Sequence, residues 1–86
     1  MNFEFDPDKS AKNLEKHGID FVQAQAIWFD TDYIKIPLTT VDEVRFLVIG
    51  VIKSNVWSGI ITYRDGTIRI ISVRRSRKEE IAIYES

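Results

Sequence analysis

The chain has 86 residues, 44% of them apolar and 29% charged, with a formal net charge of −1 and no cysteine. That size fits one domain over residues 1–86 and excludes a multi-step enzyme, while the apolar content excludes a disordered tail. Without thiols there are no disulfides, iron–sulfur clusters or thiolate zinc sites. The expected setting is a reducing cytoplasm, and packing or a bound partner must hold the fold. The start MNFEFDPDKS lacks the pattern of a signal peptide, and the longest apolar run, Phe46 to Ile52, is far short of a membrane span.

In chain order, Phe3-Glu4-Phe5 alternates as a short strand does. Asp6-Pro7 then gives an N-cap followed by proline at the first helical position. A first helix is expected over Pro7–His17, closed by Gly18 as a left-handed C-cap. Asp20 and Gln23 have capping-box spacing, which predicts a second helix over Phe21–Phe29. The series Val22, Ala26, Phe29 would give that helix an apolar face in need of cover. From Tyr33 onward β-branched and aromatic residues dominate. Strands are expected at Tyr33–Leu38, Val44–Ile52, Val56–Tyr63 and Ile68–Val73, with hairpin turns at Ser54-Asn55 and Asp65-Gly66. A C-terminal helix is expected over Arg77–Tyr84. The class is α+β, with two N-terminal helices packed on an antiparallel sheet of about four strands and a short C-terminal helix.

Two-residue turns at those positions set a register in which Arg45 lies opposite Arg64, with Thr62 and Arg69 one row further in. Strand alternation sorts Phe46, Val48, Ile52, Trp57, Ile61, Ile68, Ile70 and Arg74 to the face beneath the helices. Ile49, Val51, Ile60, Ile71 and Val73 fall on the other face with the three arginines. So large an apolar area is rarely left open on a monomer, and either the C-terminal segment or another protein is expected to cover it.

The near-zero net charge hides a separation. Residues 1–43 carry four lysines against nine acidic residues, a net of −5, whereas residues 44–86 carry eight basic against four acidic, a net of +4. Like charges facing each other across strands destabilise a sheet unless an anion or a carboxylate lies between them, and guanidinium planes match phosphate oxygens. Arg45, Arg64 and Arg69 are therefore candidates for a phosphate site. They equally suit surface ion pairs with Glu43, Asp65 or the C-terminal glutamates. The run Arg74-Arg75-Ser76-Arg77-Lys78 suits a nucleic-acid backbone, or simply the solvated start of a helix. Arg74, placed towards the helices, also suits an ion pair with the first helix or the C-terminus.

His17 is the only histidine and hence the one side chain whose ordinary pKa lies near neutrality, a candidate general acid or base. Its place before a C-cap glycine also suits interaction with the helix dipole. One histidine and no cysteine leave only carboxylates for a metal, and no clustered Asp/Glu motif, phosphate-binding glycine loop or serine elbow appears. No metal or cofactor is expected. RNA satisfies that constraint, because its own 2′-hydroxyl can attack the adjacent phosphate if the protein orients the strand, neutralises charge and moves protons.

These residues resemble the BrnT family of type II toxin–antitoxin ribonucleases over nearly the whole chain. The matching pieces are Phe3-Glu4-Phe5-Asp6, Lys9, Asn13, Lys16-His17-Gly18-Ile19 with Phe21, Glu43 with Arg45, and Gly50. Later come Tyr63-Arg64, Arg69-Ile70-Ile71-Ser72 with Arg74, Glu80 and Tyr84-Glu85. Phe5 stands where the family usually has tryptophan, and Val73 where it usually has alanine. The resemblance implies a RelE-like fold and an RNA-cleaving, growth-arresting enzyme. It also implies a BrnA-type ribbon-helix-helix antitoxin, with promoter DNA bound only through the complex. Read with the basic face and the lone histidine, the candidates for catalysis are His17, Glu43, Arg64 and Arg69, joined by Arg74 and Tyr84 from the family pattern, and those for RNA binding are Lys16, Arg45, Arg75, Arg77 and Lys78. Ile49, Val51, Ile60, Ile71 and Val73 then become the surface offered to the antitoxin. A non-catalytic nucleic-acid- or protein-binding module using the same basic face is the competing reading.

Overall fold

The computed structural model describes residues 1–86. After strand β1 (Phe3–Glu4) comes helix α1 (Pro7–His17), placed as its caps require. The Asp6 carboxylate accepts the Asp8 amide at 2.8 Å, and Gly18 takes the left-handed φ of 77° that stops the helix. The side chains α1 buries are polar, Ser10 and Asn13. Ser10 Oγ accepts the Phe21 amide at 2.9 Å. Asn13 Nδ2 donates to the carbonyls of Ile19 (2.8 Å) and Val73 (2.9 Å), and Asn13 Oδ1 accepts the Val73 amide at 3.3 Å. The Asn13 carboxamide thus serves Val73 as a neighbouring strand would, satisfying both backbone groups where β1 has already ended.

The expected second α-helix is instead a 3-10 segment, Gln23–Phe29. Its capping box forms as spaced, with Gln23 N donating to Asp20 Oδ1 (2.8 Å) and Asp20 N to Gln23 Oε1 (2.9 Å). The buried residues, however, are Phe21, Ala24 and Ile27, a period of three that suits a 3-10 helix. The Val22, Ala26, Phe29 series therefore turns outward. Val22 is 62% and Phe29 86% exposed, and they border an open groove with Ile52 and Trp57.

Strands β2 (Ile34–Leu38), β3 (Arg45–Ile52), β4 (Asn55–Arg64) and β5 (Thr67–Arg75) form an antiparallel meander. β1 adds parallel to β5, so the sheet has five strands rather than four, in the order β1-β5-β4-β3-β2. Helix α2 (Lys78–Glu85) closes the fold. The architecture is α+β, with α1 and the 3-10 segment on one face of a mixed sheet and α2 on the other. No helix is long and apolar enough to cross a membrane.

Two features of the ladder correct the expected arrangement, one its register and the other its faces. The β3–β4 turn is Lys53-Ser54, at φ 48° and 74°, one residue earlier than Ser54-Asn55. Each β3 residue consequently pairs two positions earlier on β4, which preserves the faces and sets Phe46 against Ile61, so that Arg45 lies beside Thr62 and not opposite Arg64. The Asp65-Gly66 turn forms as expected, with both φ positive. Further along, a bulge between Ile61↔Ile70 and Ile60↔Ser72 leaves Ile71 unpaired and reverses the rest of β5. Val73 falls into the core and Arg74 onto the opposite face, the reverse of strict alternation. Val73 then joins Ile19, Phe21, Ala24, Ile27, Val48, Ile61, Ile68 and Ile70 in one cluster. Phe21 alone, 1% exposed, contributes about 2–3 kcal/mol by its burial.

Candidate functional site

On the face opposite α1, one row crosses the whole sheet. Leu38 pairs with Arg45, Arg45 lies beside Thr62, Thr62 pairs with Arg69, and Arg69 with Glu4. Thr62 is buried, and its hydroxyl donates to the Val44 carbonyl at 2.6 Å, which fixes the strand end carrying Arg45. Arg45 Nε donates to Glu43 Oε1 at 3.2 Å and Arg69 Nη1 to Glu4 Oε2 at 3.0 Å. Both pairs are partly exposed, so each adds about 0–1 kcal/mol to stability and leaves its guanidinium within reach of another anion. Arg64, two residues beyond Thr62 on the same face, is exposed and makes no ion pair. It shares a groove with Glu43, Val44, Phe46, Thr62 and Tyr63. Arg45, Arg64 and Arg69 are thus brought to one end of one face, as a row of two with the third beyond it.

The other half of this face lies under α2. Arg74 and Glu80 form a two-pronged pair, Nη1 to Oε1 at 2.7 Å and Nη2 to Oε2 at 2.8 Å. Glu80 Oε1 also accepts the Ser58 hydroxyl (3.0 Å) and the Arg77 amide (2.8 Å), the second of these capping the helix. The Arg74 guanidinium, with these hydrogen bonds, outweighs burial and holds the Glu80 carboxyl down at about 2. At the far end of α2 the Tyr84 hydroxyl donates to Asp30 Oδ2 at 2.5 Å, and the same oxygen accepts the Val51 amide at 2.8 Å. The bond to Asp30 pushes the Tyr84 phenol up to about 12. Burial works to raise the Asp30 carboxyl, but the Tyr84 hydroxyl and the Val51 and Asp32 amides together bring it below its usual value.

Arg74, Glu80 and Tyr84 therefore fasten α2 to the sheet, and Arg74 finds its partner at the C-terminus as one reading expected, though from the opposite face. Ile49, 0% exposed, and Val73, 2% exposed, are buried within this chain's own fold and offer no surface to a partner. Val51, Ile60 and Ile71 are half-buried. Lys16 and His17 are not brought to the arginines. Asn13 bonds to Val73, so the last turn of α1 lies on the helix-covered face, towards the far end of β5. Arg75, across from Trp57 at that end, lies 5.5 Å from the indole centroid. Arg77 and Lys78 are exposed at the start of α2.

Two partners were not anticipated. Glu4 reaches Arg69 only because β1 pairs parallel with β5, which a two-residue strand does not signal. Lys35, on edge strand β2, sets Nζ 4.9 Å from the Phe46 ring centroid and 5.0 Å from that of Tyr63, and donates to the Tyr63 hydroxyl at 3.0 Å. A lysine alternating with Ile34 and Ile36, opposite a strand beginning Arg45-Phe46, was the available signal. No three His, Cys, Asp or Glu side chains gather into a set that could hold a metal ion.

A family model described as the ribonuclease toxin BrnT of type II toxin–antitoxin systems matches residues 5–80. The match spans Arg45, Arg64, Arg69, Arg74 and Glu80 and stops before Tyr84. No curated protein matches the chain.

Proposed function

Because this chain belongs to the BrnT family of ribonuclease toxins of type II toxin–antitoxin systems, we propose that it cleaves RNA internally on the open half of the sheet, without a metal ion, by attack of the RNA's own 2′-hydroxyl. The observation that carries this reading is the row Arg45–Thr62–Arg69 with the unpaired Arg64 beyond it, on the half of the face that α2 leaves uncovered.

In this reading Arg64 binds the scissile phosphate and Arg45 and Arg69 swing from their glutamates to share its charge. Glu43, exposed in the same groove as Arg64, takes the proton from the 2′-hydroxyl. The 2′-oxygen bonds to phosphorus, the bond to the 5′-oxygen breaks, and that oxygen takes a proton from water. A 2′,3′-cyclic phosphate and a 5′-hydroxyl result. The guanidinium groups stabilise the added charge of the pentavalent state, the role a cation fills elsewhere. Lys16, His17, Arg75, Arg77 and Lys78 stand outside this centre, and Arg74 and Tyr84 act by holding α2.

The partner in this reading is a BrnA-type ribbon-helix-helix antitoxin that covers the arginine row and the half-buried Ile60 and Ile71 beside it, excluding RNA. Promoter DNA is bound only through that complex, toxin action is cytoplasmic, and the fold is kin to RelE.

The test incubates purified protein with RNA in excess EDTA. Cleavage leaving 2′,3′-cyclic phosphate ends is expected, with Arg64→Ala about a hundred-fold slower while still folded by circular dichroism. Full activity in folded Arg64→Ala, or cleavage abolished by EDTA, refutes the assignment. Salt-sensitive binding without cleavage supports the non-catalytic module instead.

A further inference from the structure

Arg64 and Tyr63 are neighbours at the end of β4, so their side chains leave opposite faces of the sheet at one of its ends. The arginine side is the proposed phosphate site. The tyrosine side carries a small aromatic assembly in which Phe46 packs against the buried cluster and Tyr63 stands outside it. Phe46 meets Tyr63 edge to face, with centroids 5.5 Å apart and planes at 76°, and Lys35 Nζ lies close to both rings. The other aromatic pairs on this side, Phe3 with Trp28, Trp28 with Tyr33 and Phe5 with Phe21, pack around the buried cluster. Tyr63 does not; it is 42% exposed at the sheet end. The groove holding Glu43, Thr62 and Arg64 continues onto Phe46 and Tyr63, joining the two sides around the strand end.

We infer that the Tyr63 ring, steadied by Phe46 and Lys35, is a stacking platform for a nucleobase of the RNA whose phosphate lies on Arg64. The inference rests on the proposed ribonuclease reading and extends it from the phosphate to the base. Single-stranded RNA is commonly held in this way, with a cation tracking the backbone and an aromatic face receiving an unstacked base. Here one nucleotide straddles the end of β4, its phosphate towards Arg64 and its base towards Tyr63. Edge contact from Phe46 fixes the Tyr63 plane at little entropic cost. Lys35, whose amino group is kept charged by its bond to the Tyr63 hydroxyl, adds a donor beside the ring. Stacking tolerates any base, so the subsite favours purines by their larger face without reading a sequence.

The test uses a short 2′-methoxy RNA, which lacks the attacking hydroxyl, and the same chain with its bases removed. Binding of both to the full-length protein is followed by fluorescence anisotropy. Wild type is expected to bind the intact chain roughly ten-fold more tightly than the abasic one. Tyr63→Ala should lose that advantage while binding the abasic chain as wild type does, and Tyr63→Phe should keep it. Matching melting temperatures among the three proteins exclude unfolding as the cause. Equal wild-type affinity for the two chains, or an undiminished advantage in Tyr63→Ala, overturns the platform but leaves the arginine site standing if binding still weakens with salt and with Arg64→Ala. Binding of neither chain overturns both.

Discussion

Glu80→Gln probes how α2 is held. The helix has no fully buried residue, so its docking relies on polar contacts at its two ends and half-buried Ile81 between them. Glutamine keeps the size of the side chain and one acceptor for Ser58 and the Arg77 amide, but it cannot supply the charge that Arg74 grips at 2.7 and 2.8 Å. The Glu80 carboxyl is held at about 2 against an ordinary 4.5, a displacement corresponding to about 3 kcal/mol in favour of the charged, docked form. Arg74 is partly exposed and water recovers part of its solvation, so the expected loss is about 2 kcal/mol, or about 8–16 °C in melting temperature for a domain of this size. The sign with pH follows. A carboxyl depressed in the folded state contributes fully above its unfolded value of 4.5, and that contribution is lost as pH falls towards about 2. Wild type and Glu80→Gln should therefore differ at neutral pH and converge on acidification through that window. Thermal melts across pH, with amide hydrogen exchange in α2, measure both. A variant that melts within a degree of wild type at neutral pH, with α2 amides equally protected, would refute the clasp.

Tyr84→Phe removes the hydroxyl from Asp30 and should loosen the C-terminal end of α2, seen as faster amide exchange there. In wild type the neutral phenol is favoured by folding, so this contribution holds below about 10 and is lost as pH rises through about 12; a spectrophotometric titration showing every tyrosine ionising near 10 would sink the bond. Asn13→Ala strands the carbonyls of Ile19 and Val73 and the Val73 amide, at a cost of about 2–4 kcal/mol measurable by urea melt, and a loss under 1 kcal/mol would show that α1 docks by other means. His17→Ala should leave the cleavage rate and its pH profile within about two-fold of wild type; a ten-fold fall would bring His17 into the reaction.

Local signals were legible where one short stretch decides the outcome. Asp6-Pro7 and Gly18 delimit α1, Asp65-Gly66 makes its turn, and the Asp20–Gln23 box forms. They failed where distant packing decides. At the β3–β4 turn, Ser54-Asn55 is the better pair for positive φ, yet Lys53-Ser54 takes it. A turn at Ser54-Asn55 would have set Gly50 opposite Gly59 and left a gap between two missing side chains. The observed register sets Gly50 against Trp57 and Gly59 against Val48. It also leaves Gly50 beneath Ile27 Cγ2, which would stand 2.9 Å from any added Cβ. Filling that space outweighs the strain of a lysine at φ 48°. The three arginines were identifiable from alternation because a two-residue slip preserves faces, but their spacing was not, since it depends on the slip.

The bulge at Ile71 has the larger consequence for the site. Without it, continued alternation would place Arg74 under α1 and Val73 outside, and Glu80 would lose the guanidinium that it grips opposite Ser58. With it, Asn13 closes the backbone of Val73 on one side while Arg74 receives α2 on the other. That second contact directs α2 across Ser58 and Ile49 to Asp30, covering the apolar half of the face and stopping short of Thr62. One unpaired residue in β5 thus decides which part of the face is closed by the chain itself and which part, with Arg45, Arg64 and Arg69, stays open to an anion. A clasp built from one bidentate pair and one phenol–carboxylate bond can close that half without extending over the other, because neither contact involves a residue of the arginine row.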